Sequence, residues 1–334
     1  MKKGATFMSI LIKEYIVHVM DSTIDMPILS DSLDCGNQQF EEYLTKTIEK
    51  SFYSDDIKTC FLNPNSNVHQ LYQNNHLDLK TISSAFAKEI FFIMHRNVEI
   101  PKADCVFGIA DIRGEQFLFM LKLDHKALFT HYVETNDNKP TVRIISNTSL
   151  FPALPPKVSE GFFISINSPV VKVLEEKYLV DGIKDHYLST QILQCAENAS
   201  PRQKATRLLR VAEKVANLYY SEEDNMEQHI SSTVYNELQT EESLSVKSLG
   251  AKFFVSNPIA QKEFFERLST FDISEDETLS LSEKFQKKFQ KQAIKSKSGI
   301  EVKIPTQLYS DENEVEFINN PDGTISLLIK NITI

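Results

Sequence analysis

Between Asp104 and Ser146 the chain carries four short apolar runs, DCVFGIADI, EQFLFMLKLDH, ALFTHYVET and PTVRIIS. Arg113–Gly114 separates the first two and Asn136–Asp137–Asn138 the last two. Apolar runs of this length, punctuated by residues that tolerate tight turns, read as two β-hairpins. Strands joined so closely can only pair antiparallel. This run therefore commits the N-terminal half to an antiparallel sheet, which needs helices to cover it.

The flanking segments supply those helices. IKEYIVHVMD (Ile12–Asp21) is rich in β-branched residues and reads as a further strand. Asn37–Phe52 reads as a helix with Asn37 as N-cap and Phe40, Leu44, Thr47 and Ile48 at helical spacing. Asp78–Asn97 reads as a longer helix, capped by Asp78, with Ile82, Phe86, Ile90 and Ile93 along one side. FPALPP (Phe151–Pro156) then packs three prolines into six residues. It is the expected domain boundary, giving an N-terminal α+β domain over 1–157 and a C-terminal domain over 158–334.

The second domain opens on a short strand, GFFISI, and turns helical. Ser200 as N-cap and Pro201 at the first helical position start a helix strongly. Further helices are expected at 224–239, 245–254 and 258–269, and Pro321–Asp322–Gly323 reads as the turn of a closing hairpin. The fold class is thus α+β: a mixed N-terminal domain with an antiparallel sheet, then a mostly helical domain ending in β-hairpins.

Several chemistries find no motif. The sequence has nine glycines and neither GxxxxGK[ST] nor GxGxxG, so a phosphate cradle for a nucleotide cofactor is not indicated. GxSxG is missing too. Cys35, Cys60, Cys105 and Cys195 are scattered, with no CxxC pair, which fits a reducing cytoplasm better than a zinc site or a disulfide framework. Asp124, His125 and His131 read as strand-end residues rather than a metal site or dyad. The opening MKKGATFMSILIKEY breaks at Lys13–Glu14, before a signal-peptide core can form, and Met8 reads as an alternative start. No apolar run reaches the roughly 18–20 residues of a membrane helix. No cofactor or metal is expected.

Charge is where the sequence speaks about function. The chain has formal net charge -10, yet residues 200–214 carry +4 and residues 282–303 carry +5, leaving -19 on the remainder. Screening near physiological salt acts over about 8 Å, so local charge decides contact with a polyanion. In the first segment, Lys204, Arg207, Arg210 and Lys214 fall on one helical side opposite Ala205, Leu208, Leu209, Ala212 and Val215. Arginine there matters because guanidinium grips phosphate oxygens in bidentate fashion. In the second, SEKFQKKFQKQAIKSKSG, a helix would set Lys284, Lys287, Lys288, Lys291 and Lys295 in a ridge about 16 Å long beside Phe285 and Phe289.

The same residues also fit a hairpin turning at Ser298–Gly299, which would end the helix near Gln290 and put Lys295 and Lys297 on a strand. Either strip alone is accounted for by a solvated face; two of one sign in so acidic a chain narrow that margin toward a phosphate contact without reversing it. No stacking platform of aromatics and glycines accompanies them, so the expected ligand is the backbone of double-stranded DNA, read with little sequence preference. An enzyme alternative rests on Glu301–Val302–Lys303, whose outer residues would share one strand face as in some metal-dependent nucleases. Apolar Ile300, Val302 and Ile304 opposite them explain the triplet as an ordinary half-buried strand.

Four stretches carry a family resemblance: EIFFIMHRNVEIPKADCVFGIADIRGEQFLFMLKLDHKALFTHYV, LEEKYLVDGIKDHYLSTQILQC, SGIEVKIPTQLY and INNPDGTISLLIKNI. Together with the N-terminal VHVMD and in this order, the chain resembles the 37-kDa nucleoid-associated protein family, NdpA-like and of the Gram-positive type. The resemblance implies a bacterial, cytoplasmic protein of the nucleoid that binds DNA in chromosome organisation without catalysis. It brings no set of contact residues, so the ten cations above, Lys297 among them, rest on charge geometry. An acidic adaptor docking onto a DNA-handling protein is the alternative. A homodimer is a further expected partner, since pairing helps a weak binder through effective concentration.

Overall fold

A computed structural model describes residues 10–33, 37–63, 66, 78–136, 139–195, 198–221, 225–241, 243–295, 298–309, 311 and 313–331. The chain divides into two compact units, Met1–Asn198 and Ala199–Ile334. The architecture is α+β, as the sequence leads one to expect.

The first unit is built on a six-stranded antiparallel sheet of order β1-β3-β4-β7-β8-β2. Its strands are β1 (Ile10–Met20), β2 (Lys58–Phe61), β3 (Ala103–Ile112), β4 (Glu115–Asp124), β7 (Gly161–Ser165) and β8 (Val170–Leu174). The expected hairpin of β3 and β4 is present, with Arg113 and Gly114 at positive φ in its turn. Each face of the sheet is covered by one helix. Helix α1 (Gln38–Phe52) brings Leu44, Ile48 and Phe52 onto Tyr15, Val106, Phe119 and Phe163. Helix α2 (Leu79–Arg96) brings Ile82, Phe86 and Ile90 onto Ile16, Phe107, Leu118 and Phe162. Strand alternation sends Phe162 to one core and Phe163 to the other. Burial on both faces is why β3 and β4 read as almost unbroken apolar runs.

Asn37 caps α1 as expected, its side chain accepting from the Phe40 N–H. Asp78 precedes α2 but takes the Thr81 hydroxyl instead of a backbone N–H. The expected boundary near residue 157 falls inside this unit. GFFIS is β7, which pairs with β4 in a continuous ladder, so the prolines before it mark a return to the sheet rather than a seam. The unit's end is set by β9 (Tyr178–Val180), β10 (Ile183–Asp185) and a π-helical turn at Leu188–Ile192. The second hairpin, β5 (Lys126–Asn136) with β6 (Lys139–Leu150), belongs to no larger sheet. Its turn at Asp137–Asn138 lies outside the described residues.

The second unit packs α3 (Pro201–Tyr219), α4 (Met226–Glu241), α5 (Val246–Phe253) and α6 (Pro258–Ser269) around Leu208, Val215, Val234, Leu249, Phe254 and Phe264. Ser200 and Gln203 form a capping box at α3, and Pro201 occupies its first turn. Strands β11 (Ser243–Ser245) and β12 (Thr278–Ser280) pair between helices. Two hairpins close the chain, β13 (Lys291–Lys295) with β14 (Glu301–Pro305) and β15 (Val315–Asn319) with β16 (Ile325–Ile329). Gly323 takes φ +79° in the last turn, the conformation its Pro-Asp-Gly context requires. Among the described residues no helix is long and apolar enough to cross a membrane.

His18 couples the first core to pH. It is buried on β1, 2.9 Å through Nε2 from the Ser83 hydroxyl, and its Nδ1 accepts from the Ser30 N–H at 3.1 Å. Burial lowers its pKa from 6.5 to about 4. A depressed folded pKa gives stability that is complete above pH 6.5 and lost as pH falls toward 4. That loss should reach about 3 kcal/mol, and denaturant titrations of wild type and His18→Gln across this window should show it only in the wild type.

Candidate nucleic-acid interface

The ten basic residues singled out from the sequence all belong to the second unit, and the fold treats them unequally. The first strip lies on α3, where Ala205, Leu208, Ala212 and Val215 point into the helical core. Arg207, Arg210 and Lys214 stand exposed on the opposite side, at the three- and four-residue spacing that keeps them in one line. Lys204 does not join them. Its Nζ lies 2.7 Å from Glu277 Oε1, and both side chains are mostly covered. Arg207 sits over the Phe271 ring at 5.8 Å. Arg210 neighbours Glu213, whose carboxyl is pushed above its usual range by burial and by Glu227, with Arg210 pulling it back.

The second strip takes the hairpin form. Ser282 caps a single helical turn, Glu283–Gln286, and a 3-10 turn follows at Lys287–Phe289. Phe285 anchors this piece in the core and Phe289 packs beside it, 5.5 Å away between ring centres. The chain then extends into β13, so the long continuous lysine ridge does not form. The reason is local: a helix continuing past Gln290 would carry Ile294 away from Val302, with which it pairs across the hairpin. Thr306 reinforces the turn, donating its hydroxyl to the Phe289 carbonyl.

Lys284, Lys287, Lys288 and Lys291 are exposed. Lys288 lies over the Phe285 ring at 5.3 Å, and Lys287 reaches Glu283 only loosely, at 3.8 Å. Lys295 is placed by its backbone opposite Glu301. Lys297 lies outside the described residues. The hairpin brings in one cation that charge counting on a helix misses. Lys303 pairs with Ala293, two positions from Lys291, and so shares its face. Period-two alternation over GIEVKI was the signal that would have found it.

The two strips do not pack principally on each other. Helix α3 packs on α4 and α6, and the 3-10 turn packs on α4 and β13. What distinguishes them is the state of their charges. Elsewhere in this unit cations are taken up by acids: Lys247 by Glu275 and Asp276, Lys252 by Glu237, Lys262 by Glu266, Arg267 by Glu263 and Lys330 by Glu316. Among the described residues, Arg207, Arg210, Lys214, Lys284, Lys288 and Lys291 make no carboxylate ion pair. Six cations without a carboxylate partner, three on α3 and three between Lys284 and the start of β13, are suited to phosphate oxygens, which accept from both guanidinium and ammonium donors.

The family finding agrees with that chemistry. A family model described as nucleoid-associated protein YejK matches residues 16–334. The chain belongs to this family. Membership gives it a DNA-associated role at the nucleoid. A search of curated proteins found no match.

The remaining candidates resolve into structure. Glu301 faces Lys303 at 3.4 Å on the exposed side of the hairpin, and Asp276, the nearest acid upstream of that triplet, is engaged by Lys247. Among the described residues no group of three His, Cys, Asp or Glu side chains is placed to hold a metal. Asp124 binds Lys122, which is fully buried and also 2.6 Å from buried Glu160. His125 lies 3.2 Å from Asp104, and His131 stands exposed on β5.

The hairpin form has a specific signature. Gly299 adopts φ +90°, so Gly299→Ala should cost about 1–2 kcal/mol of hairpin stability, whereas a continuous helix would gain from the same change. Denaturation of the variant, with strand-type backbone chemical shifts over residues 291–295 in the wild type, checks this.

Proposed function

We propose that the chain holds double-stranded DNA through phosphate contacts from Arg207, Arg210, Lys214, Lys284, Lys288 and Lys291, with Lys303 beside them, and that it does so without cutting the strand. The observation that carries this reading is that, among the described residues, the first six make no carboxylate ion pair while Lys247, Lys252, Lys262, Arg267 and Lys330 of the same unit each do. Membership of a nucleoid-associated family supports the same ligand. The residues are lysines and arginines on outward faces, with no aromatic platform among them, which favours the duplex backbone over unstacked bases. Recognition of this kind discriminates weakly between sequences and serves chromosome organisation rather than operator choice. Two families of contact divide the work: arginines on α3 can grip bidentately, while the lysines after Ser282 act as point charges.

The acidic remainder limits affinity, so salt should dominate the behaviour. With about five phosphates engaged, the logarithm of the binding constant should fall against the logarithm of salt with slope of roughly -4 to -5. Replacing Lys284, Lys288 and Lys291 by Ala should flatten that slope by about 0.9 per contact removed, alike on unrelated duplexes. Lys204→Ala, whose cation is already occupied by Glu277, should leave it unchanged. Fluorescence anisotropy on random duplexes at several ionic strengths measures all of these. No binding even at low salt would transfer the role to an acidic adaptor acting through another DNA-handling protein. Shortening of the duplex on adding magnesium or manganese, abolished in Glu301→Ala, would make the chain a nuclease instead.

A further inference from the structure

The β5–β6 hairpin stands apart from everything that stabilises the first unit. It is a two-stranded ribbon with 11 residues in β5 and 12 in β6, and among the described residues no third strand joins it. A ribbon of two strands is marginal in water unless something covers it. Its register divides the side chains cleanly. Phe129 pairs with Ser146, His131 with Ile144, Val133 with Val142 and Thr135 with Pro140, and directly paired residues share a face. That face contains no Asp, Glu, Lys or Arg. Every one of its eight residues is exposed, Phe129 at 81% and Ile144 at 69%. The opposite face is mixed: Tyr132 pairs with Arg143, which bridges to Glu134 at 3.1 Å.

We infer that the charge-free face of this ribbon is the dimerisation surface of the protein, stacking on the same face of a second copy. Charge selects the occupant. Residues 126–150 sum to +1 in a chain of -10, so two anionic copies can meet here without setting like charges together. DNA finds no cation on this face to answer its phosphates. A two-fold stack is self-complementary, because the small Thr135–Pro140 end of one ribbon then receives Phe129 of the other, and the converse holds by symmetry. Ile144 of each copy meets Val133 and Val142 of its mate.

The area suffices. The charge-free face runs from Phe129 to Thr135, about 24 Å at about 3.4 Å per residue, and is about 10 Å wide, or about 240 Å² in projection and roughly twice that with side chains standing out of it. Two copies together bury on the order of 1,000 Å², the lower end of what a specific interface needs.

The test is the oligomeric state of the full chain by sedimentation equilibrium, without DNA. The wild type should be a dimer at micromolar concentration. Ile144→Glu should weaken it by roughly a hundredfold or more, since the same charge enters twice across the axis. Ile145→Glu, on the mixed face, should leave the dimer intact. Both residues are exposed, so neither change should disturb the fold, and unchanged circular dichroism and melting would show that. A monomeric wild type, or a dimer indifferent to Ile144→Glu, overturns the inference. So does a monomeric wild type whose DNA affinity drops in Ile144→Glu, which would make the ribbon a DNA-reading arm.

Discussion

A protein with more acid than base can hold a polyanion only where its cations are kept away from its own carboxylates. The second unit is arranged around that constraint. Its helices carry many lysines and arginines, and a carboxylate one turn away or on the next element takes Lys204, Lys247, Lys252, Lys262 and Arg267. Lys262 with Glu266 and Arg267 with Glu263 are ordinary four-residue helix pairs. Such exposed pairs add little stability, about 0–1 kcal/mol each, but they remove a cation from service. Arg207, Arg210 and Lys214 escape because the residues within one turn of them on the outer face of α3 are mainly Gln203, Thr206 and Asn217, with Glu213 the single acid.

The first unit uses charge in the opposite way. Lys122 is buried on β4 with Glu160 and Asp124 around it, and Tyr178 donates to Glu160 at 3.2 Å. Removing one partner from such a cluster would strand a desolvated charge, whereas the whole cluster adds little net stability and constrains which groups may meet. The cluster sits where β4 meets Glu160, immediately before β7. It therefore ties the return of the chain after the prolines to the sheet already formed by β3 and β4. This buried cluster fixes register, while the unpaired cations of the second unit face outward.

Much of this architecture is legible in the sequence because local signals and tertiary packing agree. Asn37, Ser200–Pro201 and Asn257–Pro258 each begin a helix where capping chemistry says they should, and Ile82, Phe86 and Ile90 face the core together. The boundary at 157 misled because proline density reports a local bend, and only the long-range pairing of β7 with β4 reveals which side of the bend belongs to which core. The lysine-rich stretch was ambiguous for a related reason. Lys284 to Gln290 has helical spacing and Lys291 to Pro305 has strand spacing, and a cross-strand partner decides between them. Pairing with carboxylates remote in sequence, as for Lys204 and Glu277 at a separation of 73 residues, leaves no mark in a linear charge count. The sequence therefore identified the basic segments but not which of their cations remain available.

The exposed ribbon and the exposed cations answer one another energetically. Backbone contacts from a handful of side chains in an acidic protein yield weak binding that erodes quickly with salt. Joining two such binders turns the second contact into an intramolecular event, with an effective concentration that reaches millimolar when the linkage spans the sites. Association gained in this way requires no further basic residues, so the chain can remain strongly anionic over the rest of its surface. Pairing through an uncharged face would also be largely independent of ionic strength, since it offers no charges to screen. Salt would then act on the DNA contact alone, and the two associations could be separated by it: rising ionic strength would release the duplex while the paired protein remained intact.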